Sequence, residues 1–214
     1  MSQIKLVVFD MDGTIIEPKS SWAIIHDHFG TDNSEMLQMY IDHKISDKEF
    51  VKADIALWNS KSDKPVNEEY INSILDKAKP RKGAEELITS LHEENIKTLI
   101  LSGGIQYLAD KWAKEWNMDD ALANDLIDDK SGNLTAIIKS SGHNKGPVME
   151  KMIEKYNFKK NEIAAVGDTV VDIPTFERAG LSIAVNTEDE RVISRANYHL
   201  KGDLTELKSL ILNW

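Results

Sequence analysis

The chain carries Asp10-Met11-Asp12-Gly13-Thr14 directly after the apolar run Ile4-Lys5-Leu6-Val7-Val8-Phe9. Short apolar runs rich in β-branched residues read as buried parallel strands, and an open α/β sheet binds its ligands at the carboxyl ends of such strands. Two carboxylates two residues apart can divide covalent catalysis, one attacking and the other moving protons. Asp10 at a strand end can attack phosphorus to give an aspartyl-phosphate that water hydrolyses, while Asp12 protonates the leaving alcohol and later deprotonates the water. An anionic nucleophile approaching an anionic phosphate calls for a cation, and hard oxygen ligands suit Mg²⁺. Gly13 lets the backbone turn tightly past the phosphate. Taken alone, the same residues also read as a plain Asp-Gly turn.

Three later segments supply what the first lacks. Ser102-Gly103-Gly104 follows the apolar run 98–101, where a hydroxyl and closely spaced N–H groups at a helix N-terminus form a phosphate cradle. Lys145 stands just before an expected helix, as a cation that could neutralise Asp10 and the transferring phosphoryl group. Gly167-Asp168-Thr169-Val170-Val171-Asp172 follows the run 163–166. There Asp168 can complete a Mg²⁺ shell opposite Asp10, and Asp172 can add a ligand through water or orient Lys145. Singly these are a turn, a solvated lysine and an acidic helix start. Their joint order is what points to one site.

The elements that must hold these residues can be read from the same periodicities. Runs at 4–9, 96–101, 163–166 and 181–185 read as strands, and 83–94, 106–116 and 147–156 as amphipathic helices between them. Residues 123–138 read as a hairpin turning at Ser131-Gly132-Asn133. Between Thr14 and Pro80 there is no strand pattern, only four helical stretches at 22–29, 34–43, 47–58 and 67–78. The third opens on the capping box Ser46-x-x-Glu49. The expected architecture is α/β: a Rossmann-like, doubly wound parallel-sheet core with a small helical cap domain inserted after the first strand. The core takes residues 1–16 and 80–214, and the cap takes 17–79.

The 214 residues, 41% hydrophobic and 29% charged, suit a globular core with one insert. A net charge of −10 argues against a nucleic-acid surface. There is no cysteine, so neither disulfide nor thiol chemistry operates. No membrane span or targeting segment is visible, and the expected compartment is the cytoplasm. The expected partner is a small phosphorylated metabolite, with no nucleic acid and no membrane.

On these four motifs, in this order and across its whole length, the chain resembles the haloacid dehalogenase superfamily, and within it the phosphoserine phosphatase group. The resemblance implies Mg²⁺-dependent phosphomonoester hydrolysis with Asp10 as nucleophile and Asp12 as general acid/base. It makes Ser102 and Lys145 phosphate binders, Asp168 a metal ligand and Asp12 a ligand through its backbone carbonyl; the residue reading adds Gly103 to the substrate binders and Asp10 and Asp172 to the expected metal set. Thr169 and Val171 replace a glycine and an asparagine usual in the group's fourth motif. The group also carries a cap-entry glutamate for the substrate ammonium and a cap arginine for its carboxylate. Lys19 and Asp54 stand nearest those positions, with Glu17 slightly displaced. Phosphoserine is thus the leading substrate, with phosphoglycolate or a sugar phosphate as alternatives and weak discrimination among them expected. A metal-free dehalogenase would not need Asp12 or the metal carboxylates. A phosphorylatable signalling module would be shorter and lack the helical insert.

Other conspicuous residues have structural readings. His26 and His28 point apart on a helix, and His143 flanks Lys145. Trp112 and Trp116 read as packing, and Trp22 and Trp58 either roof the site or pack cap on core.

Overall fold

The computed structural model describes residues 4–141 and 144–214. Seven strands form one sheet in the order β4-β3-β2-β1-β5-β6-β7. They are β1 (Leu6–Phe9), β2 (Lys97–Ile105), β3 (Asp120–Asp128), β4 (Leu134–Ile137), β5 (Ile163–Gly167), β6 (Leu181–Val185) and β7 (Tyr198–Leu200). Every neighbouring pair is parallel except β3 and β4, which form the expected hairpin. Its turn is closed by the Asp129 carboxylate, which accepts from the N–H groups of Ser131 and Asn133, and by Gly132 at φ 77°.

β1 is central and buried on both faces. Leu6 and Val8 pack with Leu99, Leu101 and Ala165 beneath Met149 and Phe176, and Val7 and Phe9 pack with Ile100 and Val166 beneath Leu87 and Leu108. Alternation with period two therefore fills two apolar layers from one short strand. The helices covering the sheet are α5 (Ala84–Glu93), α6 (Gln106–Glu115), α7 (Lys145–Glu154), α8 (Ile173–Phe176), α9 (Glu190–Ile193) and α10 (Leu207–Leu212). Phe9 stands opposite Ile100 on one side and Val166 on the other. The residues just beyond these three share one rim, at the point where the strand order reverses.

Four helices lie between β1 and α5: α1 (Ser21–Phe29), α2 (Ser34–Ile41), α3 (Asp47–Lys61) and α4 (Glu68–Leu75). Ser20, Ser46 and Asn67 cap α1, α3 and α4 with side-chain oxygens, and the Ser46–Glu49 box is complete. The chain leaves and re-enters the core side by side. The Glu17 N–H donates to Lys79 O at 2.9 Å, and the Arg81 N–H to Ile15 O at 2.9 Å. Ile25, Val51, Trp58 and Ile71 of this block join the same apolar cluster as Phe9 and Leu87. Trp58 is fully buried, with its ring centroid 6.3 Å from that of the half-buried Trp22. Trp112 and Trp116 are buried and stacked at 4.8 Å, as packing requires.

Three details differ from the sequence reading. β2 runs to Ile105, so Ser102-Gly103-Gly104 lies on an irregular strand end, where the register with β3 shifts, rather than in a strand-to-helix turn. α7 begins at Lys145, two residues early, because Pro147 in its first turn needs no N–H partner. β7 and α8 to α10 had no expectation; they are short and have too few residues to display a period. Among the described residues no helix is long and apolar enough to cross a membrane.

Candidate active site

Asp10 leaves the end of β1 with its N–H still donating to Val166 O at 2.9 Å, so its carboxylate is fixed at the sheet rim. Lys145 reaches it from the first turn of α7. Its ammonium lies 2.7 Å from Asp10 Oδ1 and 2.5 Å from Asp172 Oδ1, with all three side chains buried. Asp172 Oδ2 in turn accepts from the N–H groups of Asp168 and Thr169, each at 3.0 Å, which sets the loop after β5. The Thr14 hydroxyl donates to Asp168 Oδ1 at 3.2 Å. One carboxylate oxygen each from Asp10, Asp168 and Asp172 falls within 4.8 Å of the others.

That crowding has an electrostatic signature. Burial pushes Asp10 well above the usual carboxylate range; Lys145 pulls it back, and Asp172 and Asp168 push it further up. Burial, then the Asp172 charge, raises Asp168 to about 7. Burial also works against the Lys145 ammonium, but Asp10 and Asp172 outweigh it and hold Lys145 above the usual lysine range. Three buried carboxylates around one lysine leave a surplus of negative charge. An all-oxygen donor set with that surplus fits a hard divalent cation.

Asp12 stands apart from this group. Its Oδ2 accepts from both the N–H and the hydroxyl of Ser21, at 2.7 and 2.8 Å, while its buried Oδ1 has no partner. Burial raises its carboxyl to about 6, against the pull of the two Ser21 bonds. Two carboxyl groups two residues apart thus sit in different environments: one beside a lysine, the other beside a hydroxyl and ready to exchange a proton near neutrality.

Gly13 and Gly104 permit this closeness. Gly13 has φ +74°, and a Cβ there would strike the Asp168 carboxylate; a Cβ on Gly104 would strike Ser21 Oγ and Asp12 Oδ2. Ser102 is buried, and its Oγ accepts from the Gly104 N–H at 3.0 Å. The Ile105 N–H donates to Ser21 Oγ at 3.1 Å. Of the N–H groups expected to cradle phosphate, that of Gly104 is therefore held by a hydroxyl, and Ser102 itself is the group at the rim.

Sequence reasoning missed three residues here. Ser21 ties the Asp12 carboxyl to the first cap helix. Arg81 donates to the carbonyls of Gly13 and Thr14 at 2.6 and 3.0 Å. Asn124 donates to Gly103 O and accepts from the N–H groups of Lys139 and Ser140. Only Ser21 had a local signal, and Ser20-Ser21 before a helix reads as nothing more than a cap. His143 lies outside the described residues. His28 bonds Tyr70 and His26 turns to Thr31 and Asp54, so the two imidazoles form no metal pair. Lys19 and Glu17 are exposed, whereas Asp54 is fully buried.

Above the rim, between the cap helices and the sheet, is a cavity of about 590 Å³, bordered on the core side by Gly103 and Val171. The Trp22 indole N–H donates to Gly103 O at 3.1 Å and so ties the cavity wall to the Ser102 segment.

The haloacid dehalogenase-like hydrolase family model matches residues 4–180. The phosphoserine phosphatase of Archaeoglobus fulgidus is 30% identical over 189 residues, covering 86% of this chain and 53% of that protein, so this chain spans about half its length. The phosphoserine phosphatase of Methanocaldococcus jannaschii is 27% identical over 185 residues, 84% of each protein. Among solved structures, a substrate-bound phosphoserine phosphatase complex superposes with a TM-score of 0.80 at 25% identity, covering 98% of this chain and 99% of that one. A phospho-aspartyl intermediate analogue of phosphoserine phosphatase superposes with a TM-score of 0.79 at 26% identity, with the same coverage.

Proposed function

The chain belongs to the haloacid dehalogenase-like hydrolases, and we propose that it is a Mg²⁺-dependent phosphomonoester hydrolase of the phosphoserine phosphatase type, acting on a small phosphate ester through an aspartyl-phosphate. The observation that carries this reading is the split between the two motif carboxyls: Asp10 on Lys145, Asp12 on Ser21.

Asp10 is the nucleophile. Its carboxylate oxygen attacks phosphorus, the ester P–O bond breaks, and Asp12 gives its proton to the departing alcohol oxygen. Asp12, now a carboxylate, takes a proton from water, whose oxygen attacks the same phosphorus and releases inorganic phosphate with regeneration of Asp10. A carboxyl raised to about 6 suits both directions of that transfer. Lys145 holds the Asp10 carboxylate in line and offsets charge on the phosphoryl oxygens, to which the Ser102 hydroxyl and Gly103 present donors. Asp172, its oxygens already engaged, orients Lys145 and the Asp168 loop. Asp10 and Asp168, with the carbonyl of Asp12, would hold the Mg²⁺, which when bound offsets the repulsion between nucleophile and phosphate.

Residues 1–16 and 80–214 act as the catalytic core and 17–79 as a cap that selects the leaving group and excludes water. Phosphoserine, named for the relatives, is the first ester to assay, and the cytoplasm is the compartment in which such a metabolite enzyme would work. The test is release of p-nitrophenol from p-nitrophenyl phosphate with and without Mg²⁺. Turnover that requires the metal supports the reading; full activity in EDTA, or none under any condition, overturns it.

A further inference from the structure

The cap cavity carries charge of one sign. Asp27, Asp32, Asp47 and Asp54 line it, and among the described residues no lysine or arginine does. Three of these acids have local roles or lie toward solvent: Asp32 Oδ1 accepts from the Ser34 N–H, Asp47 Oδ1 accepts from the Tyr40 hydroxyl, and Asp27 is exposed. Asp54 differs. It is fully buried, its Oδ1 accepts from Asn33 and from His26 Nε2 at 3.0 Å, and its Oδ2 has no partner.

On the far side of the ring, His26 Nδ1 lies 2.7 Å from the Thr31 hydroxyl and 3.2 Å from the Trp58 indole N–H, which fixes the imidazole against Asp54. Asp54 thus keeps an unpartnered Oδ2 at the wall of a cavity that Trp22, Tyr40 and Phe50 also line. A carboxylate set among aromatic faces is the arrangement that binds an organic ammonium, by ion pairing on one side and cation–π contact on the others. An acidic substituent in the same space would meet four aspartates and, among the described residues, no lysine or arginine.

We infer that the cavity takes a cationic leaving group: this site hydrolyses phosphate esters of amino alcohols that carry an apolar body and no carboxylate, with Asp54 as the residue that selects the ammonium. The inference rests on the phosphatase reading above and adds the substrate class. The space, about 590 Å³, is of ligand size and wider than a serine side chain needs.

The test uses two matched pairs of esters on the Mg²⁺-loaded wild-type protein, read as phosphate release. Phosphocholine and its uncharged isostere 3,3-dimethylbutyl phosphate differ only in charge; phosphoethanolamine and L-phosphoserine differ by the carboxylate. The expected kcat/KM favours the first member of each pair by about tenfold or more, about 1.4 kcal/mol in transition-state binding. Asp54→Asn should bring the first ratio towards one, mainly through a higher KM for phosphocholine. If that variant fails to fold, the wild-type ratios decide alone. Equal or inverted ratios, beside turnover of p-nitrophenyl phosphate, overturn this inference and leave the phosphatase standing; no turnover of any ester overturns both.

Discussion

Asp168→Asn separates the electrostatics of the site from its catalysis. The amide keeps an acceptor for the Thr14 hydroxyl, which lies 3.2 Å from Oδ1, and removes one of three crowded carboxylates. In the metal-free wild type, Asp168 is raised from the ordinary 3.8 to about 7. Between those values the native state holds a proton that the unfolded chain has already released, so stability falls as pH rises. The gap of about 3 units at 1.36 kcal/mol each sets a ceiling of about 4 kcal/mol on that loss. The variant lacks this group and should be spared that part of the decline. Urea unfolding in EDTA across pH 4 to 8 should therefore show the two proteins nearly equal at the acid end and the variant more stable at the alkaline end. Saturating Mg²⁺ should reverse the order, because only the wild type keeps the full ligand set. The variant should lose at least ~10²-fold in kcat/KM, the scale for removing a fixed electrostatic group. Parallel stability curves in EDTA would refute the claim that the site is overcharged without its cation.

Asp10→Asn should abolish turnover while the fold survives, since an amide cannot attack phosphorus; retention of a tenth of wild-type kcat removes Asp10 from that role. Asp12→Asn should slow both formation and breakdown of the phospho-enzyme in single-turnover experiments, because one carboxyl serves both proton transfers. Ser21→Ala removes a hydrogen bond that lowers the Asp12 pKa, so the limb of the kcat/KM profile that reports protonated Asp12 should move to higher pH. An unchanged profile would show that the cap helix does not tune the acid. EDTA should silence the enzyme and Mg²⁺ restore it, whereas Ca²⁺, with longer bonds and more ligands, should inhibit by engaging Asp10 bidentately; activation by Ca²⁺ would contradict that geometry.

Much of the site was legible because its parts are local. A strand end followed by Asp-x-Asp, a strand end followed by Ser-Gly-Gly, and a strand end followed by Gly-Asp-x-x-x-Asp each announce themselves within ten residues. A parallel sheet has only one rim on which all its carboxyl ends meet. The strand order had to wait for the structure, but Asp10, Ser102 and Asp168 could converge in no other way once β1, β2 and β5 were neighbours. The helical block was legible from its caps, at Ser46 and Asn67, for the same local reason.

What tertiary structure alone decided are the contacts between residues far apart in sequence. The Ser21 bond to Asp12 depends on how α1 enters the cap, and the Arg81 bonds to Gly13 and Thr14 on how the cap returns. Lys145 becomes a buried partner of two aspartates only when α7 docks against the sheet; by itself it is one lysine among many. Asp54 is the sharpest instance. In sequence it is an acidic residue in the middle of a polar helix, indistinguishable from a solvated one, and α3 buries it beside His26, Asn33 and a cavity. Sequence determines which backbone conformations and which reactive groups are available, because those follow from a few neighbouring residues. Burial, and with it the cost of an unpaired charge and the selectivity that cost can enforce, depends on every element packed around the group, and so belongs to the fold.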